Sequence, residues 1–174
     1  MTPVVKIICE NNNTELSVNM GTPLSDVVKM IALNNPHPYL AAYVNNRIKE
    51  LNYKIFKPIS VRFIDITHFE GTRVYQRTLF FIMHKAVHDL YPEATFSIRH
   101  SVSKGFYCEI DDHDELSDEQ IAQIKRRMDE IIAADIPIVR ERLLASEVEE
   151  IYSKLGFDDK IALLRTRPRL YADV

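Results

Sequence analysis

The sequence predicts an α+β protein made of two small units in series, residues 1–64 and 65–174, and three observations lead there. Short β-branched runs alternating apolar and polar side chains surround one amphipathic helical stripe in the first 64 residues. The texture then changes near residues 67–71, beyond which two long helical stripes flank a pair of strand-like runs. Hydrophobic residues make up 46% and charged residues 27% of the 174, the composition of a folded globular chain. That length suits one domain or two small ones sharing an interface.

Each element has its own signature. Val4–Cys9 alternates and is β-branched, Asn11-Asn12-Asn13 makes a turn, and 15–18 resumes the strand pattern, so a hairpin is expected. Thr22-Pro23-Leu24-Ser25 opens a helix carrying Leu24, Val27, Val28 and Ile31 at helical spacing. The run Asn34-Asn35-Pro36-His37-Pro38 stops it, because each proline restricts the residue before it. Strands follow at 40–44, 48–51 and 59–66, with a turn at Asn45-Asn46. A long helix is expected over 73–91, with Val74, Leu79, Ile82, Met83, Ala86, Val87 and Leu90 as its apolar stripe and Pro92 beyond its end. Phe80-Phe81 sits among aliphatics there and reads as core. Strands at 95–98 and 106–110 precede a helix capped by Ser117 with Gln120 reaching back. Ile121, Ile124, Met128 and Ile131-Ile132 form that helix's stripe to about 134. Residues 137–143 look extended, Ser146 with Glu149 repeats the capping pattern, Gly156 suits a helix stop, and 158–164 is a last helical piece.

Several classes of function are excluded by composition. The four glycines stand at 21, 71, 105 and 156. They cannot form a Gly-x-x-x-x-Gly-Lys-Ser/Thr phosphate loop or a Gly-x-Gly-x-x-Gly dinucleotide turn, so the chain has no standard means of wrapping ATP or NAD. No apolar run approaches the roughly 20 residues of a membrane-spanning helix, and no secretory leader is visible at Met1–Cys9. Cys9 and Cys108 sit in strand-like patterns and are expected as buried, reduced thiols of a cytoplasmic protein. The net charge of −3 argues against bulk attraction to nucleic acid.

Two blocks resemble a known arrangement. The helix start Thr22-Pro23-Leu24-Ser25-Asp26-Val27 and the run Ala42-Tyr43-Val44-Asn45-Asn46-Arg47-Ile48-Lys49-Glu50-Leu51 are similar to the TGS domain. This ubiquitin-like β-grasp module opens threonyl-tRNA synthetases and occurs in some GTPases and stringent-response enzymes. Leu90-Tyr91-Pro92, then Ser103-Lys104-Gly105-Phe106-Tyr107-Cys108-Glu109-Ile110, resemble the second additional domain of those synthetases, which edits mischarged tRNA. The helix at 116–128 and the segment at 146–157 follow at compatible spacing. The resemblance implies a β-grasp TGS domain at 1–64 and a truncated α+β editing-like region at 65–174. Gly71-Thr72-Arg73-Val74-Tyr75-Gln76-Arg77-Thr78-Leu79 with Lys85-Ala86-Val87-His88-Asp89-Leu90-Tyr91-Pro92 resembles in particular the leader of a uridine or nucleoside kinase in some anaerobic bacteria. On that resemblance the chain is a non-catalytic regulatory or recognition region. A covalently attached kinase domain would hold the ATP and Mg, and the ligand here would be a nucleotide or RNA. The alternative is the TGS/editing region of a threonyl-tRNA synthetase-like protein with tRNA-ester hydrolysis.

The candidate site residues follow from one departure. The editing family carries His-x-x-x-His on the long helix, and the matching positions here are Arg77 and Phe81. An always-protonated guanidinium and a phenyl ring supply no general acid–base chemistry near neutral pH. The family's later Cys-x-x-x-His pair falls beyond Val174. Arg77 with Arg73, Arg99 and Lys104 is instead expected to surround an anion, which a planar guanidinium suits, with His100 nearby and Glu109 as a competing internal partner for Arg77. His84 and His88, four apart on the helix, are weak metal candidates that would need a third ligand from His100, Cys108 or His113. Lys125-Arg126-Arg127 and Arg165, Arg167 and Arg169 read as solvated faces.

Overall fold

The computed structural model describes residues 3–31, 33–103, 105–111, 115–166 and 169–174. The architecture is α+β, and the chain divides into two compact units, Met1–Ile131 and Ile132–Val174.

The first unit opens with an antiparallel hairpin of β1 (Val4–Cys9) and β2 (Thr14–Asn19). Helix α1 (Leu24–Ile31) follows, then β3 (Ala41–Val44), β4 (Arg47–Lys49) and β5 (Ile59–Ile64). Asn45 and Asn46 turn β3 into β4 with φ of 46° and 64°, the paired left-handed conformation that two-residue hairpins require. Strand β5 inserts between β1, parallel, and β3, antiparallel, giving the order β2-β1-β5-β3-β4. Alternation along β1 and β5 turns Val5, Ile7, Cys9, Ile59, Val61 and Phe63 to one face, where they bury with Leu24 and Val27 of α1. Asn11 fastens the β1–β2 turn to β5: its Nδ2 donates to the Phe63 carbonyl at 3.0 Å, and its Oδ1 accepts from the Phe63 amide at 2.8 Å.

Helix α2 spans Phe69–Leu90, so it begins four residues before the expected start at 73. The residues at the change of texture form a tight joint. Asp65 accepts from the Thr67 amide at 2.8 Å and hydroxyl at 2.6 Å, and from Asn35 Nδ2 at 2.7 Å. His68 caps α2 by accepting the Glu70 amide, and the Thr72 hydroxyl donates to the Ile66 carbonyl at 2.8 Å. Gly71 lies in the first turn because a Cβ there would stand 1.7 Å from the Asp65 carbonyl oxygen. Its lack of a side chain lets the helix press on the exit of β5.

Beyond α2, β6 (Phe96–Val102) and β7 (Gly105–Ile110) form a hairpin, followed by α3 (Asp118–Ala133). Ala86, Val87, Ile110 and Ile124 bury together, with Met83, Phe96, Met128 and Ile131 against them. The Ser117–Gln120 capping box forms as expected, with reciprocal bonds of 2.9 and 3.3 Å. Ile121 and Ile132, expected in the α3 stripe, are instead 52% and 53% exposed, because the helix buries a narrow stripe centred on Ile124. Arg127 is not simply solvated: its Nε and Nη2 donate to Asp89 of α2 at 3.0 and 2.8 Å.

The second unit holds β8 (Arg142–Leu144), α4 (Ala145–Lys154), α5 (Asp158–Thr166) and β9 (Tyr171–Asp173), with β8 and β9 antiparallel. The expected Ser146–Glu149 cap is displaced: the Glu147 carboxylate accepts the Leu144 amide at 2.9 Å, leaving Ser146 inside the helix. Gly156 stops α4 at φ 71°, the left-handed conformation for which glycine suits that position. Among the described residues no helix is long and apolar enough to cross a membrane.

Candidate functional site

Arg77, Phe81, His84 and His88 are spaced at three, four and seven residues, so helical periodicity places them along one side of α2. Neighbouring side chains hold this part of the helix against the β6–β7 hairpin. Phe80 meets Phe106 edge to face at 4.8 Å between ring centres, and His84 meets Phe96 in the same manner at 6.1 Å. The hairpin therefore turns Phe96 and Phe106 toward α2. Phe81, expected in the core with Phe80, is 62% exposed, because adjacent helical positions diverge by about 100° and only one can face the hairpin.

Arg77 is exposed and belongs to no ion pair among the described residues. Burial therefore does not force an internal partner on it. Glu109 pairs with Arg99 instead. The cross-strand geometry explains that choice. Ile98 stands opposite Cys108 and Ser101 opposite Phe106, so Arg99 and His100 face the single residue Tyr107 across a β-bulge. Alternation directs Tyr107 and Glu109 away from the face that carries Phe106 and Ile110, and Arg99 follows Glu109 to that outer side. The ion pair raises the Arg99 pKa, first through the hydrogen bond to Glu109. His100 packs on Tyr107 at 5.5 Å.

Arg73 bonds Glu70 at 3.2 Å and lies over the Phe69 ring at 5.4 Å. It stands one turn before Arg77 on α2, so these two arginines share a helix side while Arg99 is engaged across the hairpin. Lys104 lies outside the described residues, as do His113 and Arg167. Among the described residues no three His, Cys, Asp or Glu side chains converge as a metal site. Both His84 and His88 make contacts within the protein. Cys108 is partly buried, and burial raises its thiol pKa, which disfavours the thiolate needed for nucleophilic or metal chemistry.

Sequence reading passed over a second set of groups. On the sheet face opposite α1, Arg62 lies 4.9 Å over the Tyr43 ring, its register partner, and His68 meets the same ring edge-on at 5.7 Å. Their signal was period-two alternation in β3 and β5, which marks outward positions but does not say which strands adjoin. The whole-chain charge also concealed an asymmetry. Residues 1–64 hold seven Lys and Arg against four Asp and Glu, a net of +3 within a chain of −3.

Chemically, the α2 face offers a permanent cation beside an exposed aromatic ring. It can hold an anion next to an apolar or planar group, but neither Arg77 nor Phe81 can exchange a proton with a reacting ester.

No family model matches the chain. It is similar to threonine–tRNA ligases: that of Clostridium kluyveri is 27% identical over 165 residues, covering 95% of this chain and 26% of the relative. That of Syntrophomonas wolfei is 30% identical over 148 residues, covering 85% and 23%. That of Clostridioides difficile is 31% identical over 143 residues, covering 82% and 22%. The matched parts are the N-terminal regions of these ligases. The chain thus spans about a quarter of the length of the curated relatives it matches. An attached nucleoside kinase, expected from the 71–92 run, gains no support from them, and the synthetase alternative is favoured.

Proposed function

We propose that this chain is the N-terminal accessory region of a threonyl-tRNA synthetase-like protein, with a β-grasp TGS domain at 1–64 and an editing-like region at 65–174. In this reading the editing-like region binds the 3′ end of a tRNA as its anionic ligand, without cleaving an ester. One observation carries it: where the resembling family needs its first catalytic histidine, α2 presents Arg77, exposed and outside every ion pair among the described residues. The likeness to ligase N-terminal regions supports the RNA side of the proposal, and the net +3 of residues 1–64 favours phosphate nearby.

The test uses a tRNA acceptor-stem microhelix ending in CCA, uncharged and charged with serine, titrated onto the full chain by fluorescence anisotropy. Wild-type protein binds it, and Arg77→Ala weakens binding by roughly tenfold, the loss of about one charge-assisted contact, while its circular dichroism is unchanged. Arg77→Lys retains part of the affinity. Absence of binding by the wild type would overturn the recognition role. Release of serine by the wild type would overturn the non-catalytic role and favour ester hydrolysis through other residues.

A further inference from the structure

The positive charge of the first 64 residues is not spread evenly. Residues 47–57 hold Arg47, Lys49, Lys54 and Lys57 against Glu50, while the remainder of 1–64 balances three cations with three carboxylates. The whole excess of +3 thus lies on β4, an edge strand of the five-stranded sheet, and on the segment that follows it. Arg47, Lys54 and Lys57 are exposed and join no ion pair among the described residues.

Backbone bonds fix where these side chains point. The Ser25 and Leu24 amides donate to the Leu51 and Tyr53 carbonyls at 2.8 and 3.1 Å, the Gly21 amide to the Ile55 carbonyl at 2.7 Å, and the Ile55 amide to the Thr22 carbonyl at 3.0 Å. Ile55 is fully buried in the core with Leu24 and Val27. With Ile55 inside, its neighbours Lys54 and Phe56 are left outside, and Phe56 is 60% exposed. Its ring lies along Gly21, where φ is 88° and a Cβ would come within 3.9 Å of Phe56 Cε1. Lys49 already stands 5.3 Å over the Tyr53 ring. A single exposed phenylalanine is ordinary by itself; one held between two unpaired lysines on the basic stretch of the domain offers a flat apolar face beside two charges.

We propose that the surface formed by Arg47, Lys54, Phe56 and Lys57 binds single-stranded nucleic acid, with a base stacked on Phe56 and backbone phosphates against the flanking cations. The pairing of the two features indicates the ligand. Cations alone would suit any polyanion, and a ring alone any apolar group. A polynucleotide presents a planar base and a phosphate in every repeat, and only an unpaired strand leaves the base face free to stack. No side chain here offers a paired donor and acceptor for reading base edges, so binding is tolerant of sequence. The inference goes beyond the α2 face and uses neither Arg77 nor any ligand bound there.

The experiment titrates a short fluorescein-labelled oligouridylate onto the full chain by anisotropy, at salt between about 50 and 200 mM. Wild-type protein binds, and Phe56→Ala weakens binding roughly tenfold, the loss of one stacked base, without changing the salt slope. Phe56→Tyr restores the affinity. Joint Lys54→Gln and Lys57→Gln substitution flattens the slope of log affinity against log salt by about 1.4, the value for two phosphate contacts to a single strand. Circular dichroism of each variant reports that the fold is kept. Absence of binding by the wild type at the lowest salt would overturn the proposal, as would wild-type affinity in Phe56→Ala. Loss of oligouridylate binding in Arg77→Ala but not in Phe56→Ala would give the strand to α2 and overturn it too. Attachment to phosphatidylserine vesicles that needs Phe56, with oligouridylate binding that does not, would assign the ring to a lipid surface instead.

Discussion

At the scale of single residues, the joint after β5 makes opposite demands of two positions. Glycine inside a helix ordinarily destabilises it by about 0.5–1 kcal/mol relative to alanine, so Gly71→Ala should stabilise α2 if only propensity mattered. The 1.7 Å approach of a Cβ to the Asp65 carbonyl reverses the sign, because the obstacle is backbone and cannot swing aside. Gly71→Ala should therefore lose about 1–3 kcal/mol, the usual range for overpacking, measured by urea unfolding. Asp65 sets a pH dependence. Hydrogen bonds from the Thr67 side chain, then Asn35 and the Thr67 amide, lower its pKa from 3.8 to about 2. A carboxylate depressed in the folded state adds stability that is full above its unfolded value and is lost as pH falls toward the folded one. Asp65→Asn should thus be less stable than wild type at pH 7, and the difference should shrink between pH 4 and pH 2 in acid titrations followed by circular dichroism.

At the scale of elements, α2 meets the β6–β7 hairpin through Phe80 and leaves Phe81 in solvent. Phe80→Ala removes the edge-to-face pair with Phe106 and should destabilise the protein by roughly 1–3 kcal/mol, below the loss of a fully buried phenylalanine because Phe80 is half-buried. Phe81→Ala should stay within about 0.5 kcal/mol. Thermal melts of the two variants check this, and equal destabilisation would mean the helix is rotated from the orientation described. The hairpin's bulge matters for the same reason. It gives Arg99 to Glu109 on the outer side, so an anion site on α2 rests on Arg77 and Arg73 more than on the hairpin.

At the scale of the whole molecule, residues 1–64 have their own core under α1, yet Ala41 and Ile64 are buried outside it, 2% and 4% exposed. A fragment 1–64 should fold, giving dispersed proton–nitrogen NMR shifts, but with a lower urea midpoint than a fragment 1–131, which retains the α2 joint. A collapsed random-coil spectrum would refute the boundary at 64. The glycine spacing leads to a functional expectation at this scale as well. Calorimetry of the full chain should detect no ATP binding at micromolar affinity.

Much of the fold was legible from local chemistry. The Asn45-Asn46 turn, the Ser117–Gln120 cap and the Gly156 stop are decided by backbone preferences of a few adjacent residues, and the alternation at Val4–Cys9 marked β1 as a strand. That Arg77 and Phe81 carry no group able to exchange a proton near neutral pH was equally readable, because what a side chain can ionise is a property of the residue. The tertiary structure alone decided the partners. Nothing local links Glu109 to Arg99 rather than Arg77, separates Phe80 from Phe81, or reveals that Gly71 rests on the Asp65 carbonyl. Those outcomes depend on which elements meet and at what rotation, and the β8–β9 pairing itself joins segments far apart in sequence.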